Sequence, residues 1–285
     1  MLALRRWTQV RGVVHAHADR GREHRWLEIA VPASFEAPEP GQFVQILLVP
    51  PSPVLLPRPM SVAAVSRRGA PGRAGSGRLI GFLYSPVGAG TRALAALGPG
   101  DALELLGPLG QGFPLDEPGT PVLIAGGRGV APLLFAADVL AGQGRCCEFL
   151  FGARSAAQLV GLDEARERLT GAGGRLHLCT DDGSRGLRGN VVELLEKVAP
   201  RVKAPLVLHA CGPHGMLQAV ARWGLAHRTR AHLAMESVMA CGTGVCRGCP
   251  LPRSAAARDA FDPDRTPSLF GNREDRKSTR LNSSH

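Results

Sequence analysis

Three cysteines stand close together in the stretch MACGTGVCRGCP: Cys241, Cys246 and Cys249. Their C-x4-C-x2-C spacing opens a plant-type 2Fe-2S site, which takes a fourth cysteine further on. Gly242, Gly244 and Gly248 suit that use, because a residue without Cβ lets backbone N–H groups approach sulfur and permits φ > 0. Such hydrogen bonds help set the reduction potential of a cluster. A structural zinc site is the alternative, but zinc knots usually pair two C-x2-C units, and only one occurs here. No cysteine follows Cys249, while Cys146, Cys147, Cys179 and Cys211 lie far upstream. From Asn272 the chain reads NREDRKSTRLNSSH, polar and aperiodic, unlike the Ala/Gly/Pro/Arg-rich sequence before it. Residues 271–285 are therefore expected to be a non-native tail, with the native end that carries the fourth cysteine missing.

Two other stretches could bind phosphate. Arg58-Pro59-Met60-Ser61 offers a guanidinium that can pair bidentately with a pyrophosphate, a proline that stiffens the backbone, and a hydroxyl for a ring edge. Gly88-Ala89-Gly90-Thr91 opens a short helical stretch, Thr91 to Leu97, where free N–H groups would face an anion. Each also has a plain reading, as a common dipeptide or as a turn with a capping threonine. They lie about 30 residues apart, joined by strand-like sequence containing Leu83-Tyr84-Ser85.

A third stretch, Gly126-Gly127-Arg128-Gly129-Val130-Ala131-Pro132, follows the apolar run Pro121–Ala125 and precedes LLFAADVLA. Strand, Gly-rich loop and helix form the dinucleotide-binding opening. The third glycine of G-x-G-x-x-G is absent and Pro132 suits a first helical turn. Three more strand/helix units follow, beginning CEFLFGARS, RLHLCTDDGS and PLVLHACGP. Ligands of parallel sheets bind beyond the carboxyl ends of the strands. That rule gathers Gly126, Gly127, Arg128, Gly129, Val130, Gly152, Ala153, Arg154, Thr180–Gly183, Cys211, Gly212 and Pro213 around one crevice. Cys211 reads either as a small buried residue before a turn or as a polarisable side chain beside a redox ring.

The elements that must position these groups fall into two kinds. Residues 1–117 hold short apolar runs cut by Gly and Pro: VRGVVHAHA, HRWLEIAV, QFVQILLV, PMSVAAV, RLIGFLYS and ALELLGPL. They predict an antiparallel β-barrel or sandwich. Residues 118–230 alternate strands and helices, predicting a parallel α/β nucleotide-binding domain with right-handed crossovers. A small cysteine-rich segment, 231–270, completes an α+β two-domain chain.

Charge excludes less than it suggests. The net charge is +10, but arginine supplies 31 of the 34 basic residues, scattered through a chain only 5% aromatic. A nucleic-acid platform would cluster its charge and interleave stacking rings. No apolar run of membrane length and no secretory h-region is present. Seven cysteines, three of them clustered, fit a reducing compartment, so the expected location is the cytoplasm.

RPMS and GAGT on a barrel, GGRGVAP opening and CGP closing an α/β half, and a following C-x4-C-x2-C resemble the ferredoxin-reductase-like superfamily. Within it they resemble the electron-transfer subunits of NAD-dependent dihydroorotate dehydrogenases. The resemblance spans about residues 5–270, and its specificity lies in the order of the motifs. It implies FAD held by Arg58, Pro59, Met60, Ser61, Leu83, Tyr84, Ser85, Gly90 and Thr91. It implies NAD on the α/β domain, and a 2Fe-2S cluster held by Cys241, Cys246, Cys249 and a later cysteine. NAD exchanges a hydride pair, a cluster carries one electron, and a flavin does both, so the three form a converter. The chain has no eightfold strand/helix repeat for substrate oxidation. The resemblance thus implies a partner, the FMN-containing dihydroorotate dehydrogenase catalytic subunit of pyrimidine biosynthesis, in a hetero-oligomer. The alternatives are the same converter serving a hydrogenase, a sulfite reductase or a ferredoxin:NAD(P) reductase, or a lone flavin reductase with structural zinc. A non-enzymatic binding module would leave two nucleotide-type loops idle.

Overall fold

The structure, a computed structural model, describes residues 7–21, 24–49, 54–68, 77–170, 173–235, 239–246 and 248–249. The 271–285 tail and the search for a fourth cysteine ligand beyond Cys249 lie outside the described residues.

Seven strands build the first sheet: β1 (Thr8–Asp19), β2 (Arg25–Pro32), β3 (Phe43–Leu48), β4 (Arg58–Ser61), β5 (Ala64–Arg68), β6 (Gly77–Tyr84) and β7 (Ala102–Leu109). Their order is β4-β3-β7-β1-β2-β6-β5, with every neighbouring pair antiparallel. The run PMSVAAV, continuous in sequence, is two strands at opposite edges of this sheet. Val62 N–H donates to Gln42 O on one side (3.1 Å) and Ala63 N–H to Gly81 O on the other (2.8 Å). That two-residue step draws the edges together into a barrel. In β7, Leu103 and Leu105 face the barrel core while residues between them stay partly exposed, the period-2 pattern of a one-sided strand. The helical stretch after β6, α1, runs Ala89–Ala95 and so starts two residues earlier than expected.

The second sheet is parallel, with β8 (Thr120–Gly126), β9 (Glu148–Ala153), β10 (Arg175–Thr180), β11 (Leu187–Arg188), β12 (Leu206–Cys211) and β13 (Arg230–Ala234) in the order β11-β10-β9-β8-β12-β13. Its last strand crosses the boundary placed at residue 230 and carries the α/β sheet to Ala234. Helices α2 (Val130–Gly142) and α3 (Leu162–Thr170) cover one face of the sheet, and α4 (Val191–Val198) and α5 (His214–Ala226) the other. Helix α4 shows how locally its sequence dictates it. Asn190 Oδ1 accepts from the N–H groups of Val192 (2.9 Å) and Glu193 (3.1 Å), and the Glu193 side chain returns to Asn190, an N-terminal capping box. Val191, Leu194, Leu195 and Val198 then repeat at helical spacing and are all buried.

Helix α2 carries little polar surface because most of it is buried: Val130–Ala137 and Leu140 all lie inside. Leu133 and Leu134 belong to the α/β core, together with Trp26, Ala63 and Leu83 from the barrel. Phe135, one residue on, belongs to the barrel core beside Ile80, Phe82 and Leu103. Burying a side chain of that size is worth roughly 1.5–3 kcal/mol, so this helix is a main bond between the two halves. The linker adds a polar contact. His209 of β12 is buried, stacked on His232 at 5.2 Å and edge-on to Phe113 at 5.4 Å. Burial first, and then the neighbouring His232, push His209 down to about 3. Glu117 accepts from His232 at 3.0 Å and pairs with Arg230 at 3.1 Å.

Candidate functional site

The two phosphate-type motifs meet. A Cβ placed on Gly90, in the first turn of α1, would lie 2.9 Å from Arg58 Cδ and 3.2 Å from its Nε, so the Arg58 side chain lies flat across that turn. Arg58 Nε and Nη2 donate to the carbonyls of Pro57 (2.9 Å) and Leu56 (3.0 Å), which hold the guanidinium in place. The Thr91 hydroxyl is turned inward: it accepts from Gly88 N–H at 3.0 Å and donates to Gly88 O at 3.2 Å. Thr91 thereby shapes the glycine turn. Ser85, at the end of β6, has a buried Oγ with no partner among the described residues. A buried hydroxyl of that kind costs stability unless something bonds it, which fits a polar ligand edge there.

The remaining residues of this group divide between core and surface. Arg58 and Ser61 are half-buried, whereas Met60 and Tyr84 are buried in the barrel core. Tyr84 gives its hydroxyl to His17 at 2.9 Å, and burial pushes its ionisation far above the ordinary range. Pro59 is buried within β4, and Leu83 packs into the shared core against the α2 side, within reach of Gly161.

The carboxyl ends of β8, β9, β10 and β12 open on one cleft of about 710 Å³. Gly126, Gly127, Gly129, Gly152, Arg154, Gly212 and Pro213 all line it; Val130 does not, being wholly buried at the start of α2. The glycines serve different ends. A Cβ on Gly129 would fall 2.2 Å from Cys211 O and 2.6 Å from Gly212 N. One on Gly126 would fall 2.5 Å from Met216 Sδ and 2.9 Å from Pro213 Cδ. The loop after β8 and the turn after β12 are thus locked backbone to backbone. Gly152 is confined by side chains instead, with Cys179 Sγ and Val191 Cβ each 3.1 Å from its would-be Cβ. Gly127 alone of this set has φ +52 and open space beside it, so its backbone faces the cleft. Cys211 is wholly buried at the end of β12, directly under Gly129.

Sequence reasoning missed several cleft residues. Asn190 and Met216 line it, and so does His24, which comes from the β1–β2 hairpin of the barrel. Arg128 and Asp181, within the stretches that the strand-end rule gathers, line it as well. His24 carries no local signal.

The cysteine loop follows β13. Cys241 and Cys249 are half-buried and Cys246 is exposed. Gly242 (φ +69) and Gly244 (φ +84) make the turns that return the chain towards Cys241. Burial raises the Cys241 thiol, but hydrogen bonds from the Thr243 side chain and from the Cys246 backbone and side chain outweigh it and bring it to about 6. The structure therefore joins Cys241 to Cys246. Among the described residues no group of three or more His, Cys, Asp or Glu side chains is gathered tightly enough to hold a metal ion. In donor type the loop fits a thiolate-held group: soft sulfur ligands, one held towards ionisation, with N–H and O–H donors turned on it. Among the described residues no helix is long and apolar enough to cross a membrane.

These features are similar to those of known proteins. Residues 123–222 match the family model of the oxidoreductase NAD-binding domain. In structure the chain is similar to an NADH-dependent reduced ferredoxin-NADP oxidoreductase, with TM-score 0.66, 26% identity, 84% of this chain and 81% of that one covered. It is likewise similar to an Amycolatopsis cytochrome P450 reductase, with TM-score 0.62, 27% identity, 80% of this chain and 69% of that one. In sequence it is 35% identical over 226 residues to "Dihydroorotate dehydrogenase B (NAD(+)), electron transfer subunit" of Listeria monocytogenes, covering 78% of this chain and 81% of the relative. The subunit of the same name from Geobacillus thermodenitrificans is 36% identical over 217 residues, covering 74% of this chain and 76% of that one. A barrel with a phosphate-type strand, a glycine cleft on a parallel sheet and a cysteine loop, in this order and with these relatives, make the chain an oxidoreductase subunit that belongs to the family of electron transfer subunits of dihydroorotate dehydrogenase B (NAD(+)).

Proposed function

We propose that this chain takes electrons from the FMN of a partner dihydroorotate dehydrogenase chain and delivers them as hydride to NAD+, with FAD and a 2Fe-2S cluster as its own carriers. The observation that supports the reading most is that His24, a barrel residue, lines the same cleft as the glycines of the parallel sheet. A dinucleotide laid in that cleft reaches the barrel, where the phosphate-type strand lies. When bound, FAD supplies the interchange between a hydride pair and single electrons.

The chain's own residues bind and orient. Arg58, lying over the first turn of α1, meets a pyrophosphate with a charge-assisted fork, and the glycine turn that Thr91 shapes presents N–H groups to it. Pro59 stiffens that strand, and Ser61 and the orphan Ser85 hydroxyl supply bonds to a ring edge. Leu83, Met60 and Tyr84 set the floor of the flavin site from the core side. Gly127 turns its backbone to the dinucleotide phosphates, with Arg128 and Arg154 adding positive charge, while Gly126, Gly129, Gly152, Gly212 and Pro213 keep the cleft walls thin. Cys211, buried beneath Gly129 and outside the cleft lining, would back the wall on which the nucleotide lies rather than touch it. Cys241, Cys246 and Cys249 would hold the cluster, which carries single electrons when bound. On this reading residues 1–117 are the FAD domain, the NAD domain begins at 118, and the cluster segment follows β13.

The test is anaerobic. Dihydroorotate is added to the complex of this chain with its co-expressed partner, and NAD+ reduction is followed by absorbance. Reduction is expected from the complex and not from the partner alone; reduction by the partner alone overturns the reading. Arg58→Ala is expected to weaken FAD by about 2 kcal/mol, the worth of a hydrogen-bonded charge pair, or roughly 30-fold in Kd. Flavin content after gel filtration reads this, and a full complement of FAD in the variant removes Arg58 from the site.

A further inference from the structure

The cysteine loop is tied to the barrel through a side chain that none of the motifs contains. Gln45, in the middle of β3, is fully buried, and its Nε2 donates to the carbonyl of Ala240 at 3.4 Å, across 195 positions of sequence. Ala240 is the residue before Cys241. Two positions on, Gly242 has φ +69, and a Cβ there would lie 2.5 Å from the same Nε2 and 3.0 Å from Gln45 Cγ. The loop therefore folds over the Gln45 amide, and only a glycine can make that turn against it.

We infer that Gln45 is a positioning residue: it seats the cysteine loop on the barrel and fixes the arrangement of sulfurs that the loop offers to its cluster. The inference rests on reading that loop as a cluster site. Burying an amide in a barrel wall is unfavourable unless its polar atoms are bonded. Gln45 Oε1 is buried with no partner among the described residues, so the bond to Ala240 offsets only part of that penalty. A leucine would avoid the penalty altogether, which makes the amide a poor choice for the barrel and a useful one for the loop.

Its place in the sheet gives the seat a direction. In the β3–β4 register Gln45 faces Pro59 and Ile46 faces Arg58. The strand that carries the loop's anchor is therefore paired with the phosphate-type strand. A shift of the loop on this anchor would alter the separation between sulfurs and flavin site. Groups that orient ligands from behind typically change metal affinity by about 10- to 100-fold when removed.

The experiment uses the full chain co-purified anaerobically with its partner, as wild type, Gln45→Leu, Gly242→Ala and Gln45→Ala/Gly242→Ala. Iron and acid-labile sulfide per FAD are measured before and after challenge with a chelator, with EPR spectra and the midpoint potential of the reduced iron centre. Gln45→Leu is expected to keep FAD and the melting temperature, to lose iron about 10- to 100-fold faster to chelator, and to shift the EPR g-values and potential of the iron that remains. Gly242→Ala is expected to lose iron similarly, and to lose less when the amide that it collides with has been removed. If wild type carries iron and sulfide but Gln45→Leu holds them as tightly with an unchanged spectrum, the role of Gln45 is overturned and the cluster reading stands. If Gln45→Leu sheds FAD together with iron, Gln45 serves the barrel and the role is again overturned. If wild type carries zinc and no iron, the cluster reading itself falls.

Discussion

The glycine cleft and the cysteine loop are built on opposite plans. In the cleft the walls press close: a Cβ on Gly129 would fall 2.2 Å from Cys211 O and one on Gly212 3.0 Å from Gly126 Cα, both backbone, while Gly126 meets Met216 Sδ and Pro213 Cδ. In the loop, the left-handed Gly242 folds over the Gln45 amide, which reaches the chain beside it through a 3.4 Å hydrogen bond. The cleft is thus formed by folding alone and waits for its nucleotide. The loop instead has donors for its ligand and is seated on the barrel by a side chain.

The largest expected effect comes from Gly129→Val. The new side chain cannot avoid Cys211 O, 2.2 Å from its Cβ, so the β12 turn must move. Overpacking of this kind costs about 3 kcal/mol, and NADH-driven flavin reduction is expected to fall by two orders of magnitude or so while FAD stays on the barrel. Stopped-flow reduction and calorimetry on one sample check both effects. A variant that reduces its flavin at the wild-type rate would show the cleft walls to be soft, and the contrast with the loop would collapse.

Acid separates the two regions next. His209 is held near 3 in the folded chain, against an ordinary value near 6.5 when unfolded. The unfolded state therefore binds the extra proton between those values, and stability falls as pH drops through 6.5 towards 3. At pH 5 the loss is about 2 kcal/mol relative to pH 7, from 1.36 kcal/mol per pH unit below 6.5. Urea unfolding at the two pH values reads it, and His209→Gln should flatten the dependence. An unchanged slope in that variant would assign the acid lability to Glu117 or to other carboxylates.

The smallest effect sharpens the comparison from inside the cleft. Gly127→Ala meets no atom within 4 Å and pays only for φ +52, about 1 kcal/mol. Its NADH Kd is expected to rise a few-fold, with no change in FAD content. A loss as large as that of Gly129→Val would mean that direct approach of the nucleotide, rather than wall packing, sets both positions.

How much of this was legible depended on how local the constraint is. Gly126–Gly129 and Cys211-Gly-Pro could be read because a backbone crowded by its neighbours admits few residue types, and those types leave a mark in sequence. The apolar run of β8 was legible for the same reason. Arg58 and the 88–91 turn were each visible, but not their contact, since nothing in either stretch encodes the other. Gln45 was invisible: in β3 it reads as an ordinary strand glutamine, and its partner is 195 positions away. PMSVAAV hid a change of sheet edge because both of its halves are strand-like, and β13 was missed because RAHLA is too short and too polar for a confident strand pattern.

Helix α2 has a consequence for anyone who treats the two halves as interchangeable modules. Its Leu133 and Leu134 belong to one core and its Phe135 to the other. A chimera that exchanges the nucleotide half for that of another reductase imports a foreign wedge into the flavin barrel. Such a graft keeps its yellow colour only if position 135 arrives with a ring that the cavity beside Phe82 can accept, so the helix travels with the barrel that it was cut for.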